Sequence, residues 1–163
     1  MIEQTTLFYV LAQIAGVFVG FGTLIAVSSP GKIDHLERQT VAACVMIGLF
    51  VIVGALFPIV LFSFGMPAPT VWCVSAVVIL TFNWITIWPQ RDAFTVPLKE
   101  RRYGSFLLLA GIEFMVQLPL ILILLPVLRG HAAALYATML VVSIFQAASY
   151  LMWLVLGLTR KQS

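Results

Sequence analysis

Glu113 is the residue whose type and position could do chemistry. It stands near the middle of residues 105–126, SFLLLAGIEFMVQLPLILILLP, and is the only acidic or basic residue inside any apolar run of membrane-crossing length in the chain. A carboxyl at mid-bilayer depth costs at least about 2.5 kcal/mol on insertion scales, so an intramembrane acid implies a use. Hydrocarbon disfavours the charged form, and the neutral acid is a hydrogen-bond donor. Ionised, the group would need a cation or water beside it. A proton-coupled or cation-conducting site makes that demand. Gln117 lies one helical turn further on the same face. Pro119 then removes a backbone donor and frees the carbonyl of Met115.

Three more polar side chains sit inside apolar runs and complete a set of transport-path candidates: Gln146, Gln13 and Asn83. Gln146 belongs to a stripe of the last run, Met139, Ser143, Gln146, Tyr150, Trp153 and Gly157, spaced alternately by four and three. Such a face is expected to point inward, because lipid leaves polar groups without partners. At about 1.5 Å per residue, Asn83 lies roughly 8 Å from the cytoplasmic end of its run, Glu113 roughly 12 Å, Gln117 and Gln146 roughly 18 Å and Gln13 roughly 22 Å. If they converge, they form a ladder with one titratable rung. The competing reading is packing glue, since interhelical hydrogen bonds average only about 0.6 kcal/mol each. For Asn83 a bond to a neighbouring helix is the favoured role.

Enzyme chemistry finds no template. There is no Cys-x-x-Cys, no Gly-rich phosphate loop and no nucleophile beside a base. His35 and His131 fall in loops expected on opposite sides of the membrane, so they cannot share a metal. Asp34, His35 and Glu37 cluster in DHLER, where a solvated charge group is favoured over a metal site. No catalytic residue, metal, cofactor or nucleic-acid partner is expected. Arg91, Lys99, Arg101 and Arg102 could hold anionic lipid headgroups at about 1 kcal/mol each, although setting topology is the simpler account.

The elements that must position these residues follow from composition. Of the 163 residues, 62% are hydrophobic and 9% charged, with a mean hydropathy of +1.10. Soluble domains average about 45–50% apolar and about 25% charged, so lipid is the solvent here. Cys44 and Cys73 lie in apolar runs, where thiols act as small hydrophobes, and no disulfide framework is expected. Five runs reach the about 20 residues a crossing needs: approximately 7–28, 40–63, 69–88, 105–128 and 132–158. The first is expected to be a retained helix, being too long for a signal-peptide core.

Five crossings put Lys32, Arg38, Arg91, Lys99, Arg101, Arg102, Arg160 and Lys161 on one side and only Arg129 on the other. The positive-inside rule then sets the N-terminus outside and the C-terminus in the cytoplasm. Gly16 and Gly20 form a G-x-x-x-G on a face with Gln13 and Thr23, favoured as an internal helix-packing seam over a dimerisation face.

The sequence predicts an all-α integral membrane bundle of five transmembrane helices, a single transmembrane domain over 1–163. Its expected home is the plasma (bacterial inner) membrane, where it contacts the lipid bilayer. The expected function is a homo-oligomeric channel or transporter for ions or protons using the Glu113 carboxyl. The alternative is a non-catalytic structural or accessory subunit of a larger membrane complex.

Overall fold

The computed structural model describes residues 2–28, 35–87 and 103–160. Among these residues it has five α-helices, one 3₁₀ turn and no strand: α1 Ile2–Ser28, α2 His35–Ser63, α3 Ala68–Ile87, α4 Tyr103–Leu124, the turn Pro126–His131, and α5 Ala132–Arg160. Four of the helices carry stretches long and apolar enough to cross a bilayer: Thr5–Val27, Arg38–Ser63, Ala68–Ile85 and Ala132–Met152. α4 has 22 residues, but its described apolar stretch, Ala110–Leu124, is shorter than the about 20 residues of a full crossing. The secondary structure of the described residues is all helical, and the long apolar helices mark a membrane protein.

Three helix limits differ from the sequence reading by four residues or more, the first being α1, which begins at Ile2 instead of near Leu7. α2 begins at His35 instead of near Thr40, so the charged residues of HLER form its first turn. The backbone continues its hydrogen-bonded ladder past the edge of the apolar run. α4 stops at Leu124 instead of Leu128. Pro126 has no amide hydrogen and disfavours helical geometry at Leu125. The chain tightens there: Leu125 N–H donates to Leu122 O at 3.1 Å and Leu128 N–H to Leu125 O at 3.2 Å. Pro58 and Pro119, by contrast, lie inside α2 and α4, which continue through them.

The turn from α2 to α3 is short because a glycine closes one helix and a proline carbonyl opens the next. Gly65 has φ 73°, a left-handed conformation that glycine adopts without steric cost. Its amide donates to Phe62 O at 2.9 Å, closing α2. The Pro67 carbonyl accepts from Thr70 and Val71 at 3.0 and 3.1 Å, opening α3.

The helices divide into two compact units. One comprises α1, α2 through Ile59, and α5 from Leu140; the other runs from Val60 to Met139. In the first unit α1 and α2 interlock. A methyl group at Gly22 would lie 2.8 Å from Val45 Cγ2, and one at Gly48 would lie 2.5 Å from Val19 Cγ2 and 3.2 Å from the Ala15 carbonyl oxygen. Position 22 thus faces 45 while 19 faces 48, so the two helices run antiparallel. Ala15, Cys44 and Val51 are buried in the same unit. The Cys44 thiol reaches α5, donating to Ala147 O at 3.6 Å.

Gly16 and Gly20 are not part of this seam. A methyl group on either would meet nothing within 4 Å. Gly22 is two residues beyond Gly20, about 200° around the helix, and close approach occurs on its side.

The second unit is built on Trp72. Its ring meets Phe62 edge-on at 5.5 Å and the fully buried Tyr136 at 5.6 Å, tying the ends of α2 and α5 to α3. α3 also packs against α4, whose buried side is Val116, Pro119, Leu120 and Ile123.

The interlocked seam makes Gly48 intolerant of side-chain growth. Gly48→Ala is expected to lower stability by about 1–3 kcal/mol, the usual cost of overpacking. Gly111→Ala is the control, since a methyl group there meets open space. Thermal unfolding in detergent checks the pair: equal midpoints for Gly48→Ala and the wild type would refute the seam.

Candidate functional site

α4 positions the carboxyl. Glu113 precedes the buried residues Val116, Leu120 and Ile123 by three, seven and ten positions, so it shares their side of the helix. Phe114, Met115, Leu118 and Ile121 occupy the exposed side. Glu113 and Gln117 are both half-buried, at the margin of the packed face. This placement only partly covers Glu113, and a carboxyl left in hydrocarbon is costly.

α3 carries two buried polar residues of its own. Ser75, Ile79 and Asn83 recur at every fourth position and are 0%, 1% and 8% exposed, so one buried stripe carries a hydroxyl and an amide. α3 packs against α4. Four polar side chains, two per helix, therefore stand within one packed unit.

Ser75 is the residue sequence reasoning missed. Thr23, Ser63, Thr81, Thr138 and Ser149 each donate a hydroxyl hydrogen to a carbonyl three or four residues earlier, at 2.7–2.9 Å. That bond lets a hydroxyl sit in an apolar helix. The Ser75 Oγ is buried and makes no hydrogen bond. Its only sequence signal is the eight-residue spacing to Asn83, which places both on one face.

The remaining candidates lie in the first unit. Gln146 is buried together with Ser143 on α5, and Met139 one turn earlier is buried as well. Tyr150 is half-buried. Gln13 is exposed on α1, on the same uncovered side as Gly20 and Thr23. The two units thus hold Gln13 and Gln146 in one, and Asn83, Glu113 and Gln117 in the other.

The basic candidates Arg91, Lys99, Arg101 and Arg102 lie outside the described residues, as do Asp34 and the side chains of His35 and Glu37. His131 is exposed at the end of the 3₁₀ turn. Among the described residues no three His, Cys, Asp or Glu side chains stand close enough to hold a metal.

The buried Ser75 hydroxyl makes a direct prediction. An unsatisfied buried donor costs about 1–3 kcal/mol, so Ser75→Ala is expected to raise the unfolding midpoint. Ser149→Ala, which removes a satisfied hydroxyl, should leave it nearly unchanged. A fall in the midpoint for Ser75→Ala would mean that the hydroxyl has a partner in the membrane. No known protein family, curated protein or solved structure matches this chain.

Proposed function

We propose that the protein is a homo-oligomeric membrane channel or transporter that moves protons or cations, with Glu113 as its titratable group. One observation carries the reading: the single carboxyl of the apolar runs is half-buried on α4, and α3, packed against α4, buries Ser75 and Asn83. In this reading Glu113 exchanges the proton or attracts the cation. Gln117, Asn83 and Ser75 offer the polar contacts that replace water around it. Gln13 and Gln146 are the polar candidates of the other unit. The protein is not an enzyme, and it resides in a plasma (bacterial inner) membrane.

The proposed topology has five crossings, α4 included, with the N-terminus outside. The eight-to-one division of Lys and Arg supports it, and the antiparallel α1–α2 pair agrees with it. Self-association is supported by α1. Only 17% of its span is buried, against 33% for each of the other three, and Gln13, Gly20 and Thr23 lie on its uncovered side. The same observation favours the second reading, a structural or accessory subunit of a larger complex. There Glu113 would be a protonated interhelical hydrogen bond.

Three experiments test these readings. Glu113→Gln keeps size and hydrogen bonding but cannot titrate. It is expected to fold normally and to abolish flux into liposomes, or the pH dependence of that flux. Glu113→Leu strands its partner groups and should lose about 1–3 kcal/mol of stability. Unchanged, pH-dependent flux in Glu113→Gln would remove the residue from the mechanism.

For topology, Cys44 and Cys73 are replaced and a lone cysteine is introduced by Lys161→Cys. It should react with a membrane-impermeant thiol reagent only after the membrane is opened; labelling from outside would overturn the orientation.

For association, Gly20→Leu should reduce the particle mass in detergent without lowering the unfolding midpoint, because position 20 is clear of the α1–α2 seam. An unchanged mass would count against self-association through α1. Incorporation of the wild type into particles with an unrelated subunit would favour the accessory reading.

A further inference from the structure

We draw no further inference here: the strongest candidate, the uncovered face of α1 with Gln13, Gly16, Gly20 and Thr23, is a small-residue stripe that already belongs to the association proposed above, and nothing in the structure shows what covers it.

Discussion

Hydrocarbon contains no water to satisfy a polar group, and the rest of this structure depends on that. Every backbone amide and carbonyl at membrane depth must find a partner in the protein, which the α-helix supplies locally. The same rule reaches the side chains. Five hydroxyls turn back onto their own helix and hide their donors in the backbone ladder. Ser75 does not do so, and Glu113 is too polar to be hidden that way. Both belong to the α3–α4 unit, while Ser143 and Gln146 are buried in the other.

The apolar surface follows the same logic. Phe145 is 75% exposed, Ile85 63% and Phe114 61%. On a soluble protein such side chains would mark a binding surface or an aggregation hazard. In a bilayer they are simply the lipid-facing side. Lipid contacts them as well as another helix would, so hydrophobicity gives helices little reason to associate. Fit must do it instead, through the glycine contacts of α1 and α2 and the aromatic cluster around Trp72. Burial alone is therefore a poor guide to importance here, and the buried polar side chains are the informative ones.

Much of the fold was legible in the sequence, because an apolar run has a length and a bilayer has a thickness. All five helices lie where the five runs do. Their ends were less legible. α2 starts five residues early because a helix does not stop where hydrophobicity stops, whereas α4 ends early at a proline that was visible as Pro126. Glu113 was legible because a charge in an apolar run has no innocent average. Ser75 was not, since a serine's cost depends on where its hydroxyl turns, and composition carries no such information. The glycines show the same limit. Spacing places Gly16 and Gly20 on one face, but a helix has several faces, and the neighbour chose the one bearing Gly22.

That choice bears on motion. Val19 fills the space left by Gly48, and Val45 fills the space left by Gly22, so each helix contributes one knob and one hole. Sliding α1 along α2 by three residues would oppose two valines or leave two glycines facing a void. A piston-like stroke of α1 against α2 would therefore clash in one direction and lose packing in the other. The two helices behave as a latched pair, each fixing the other's register.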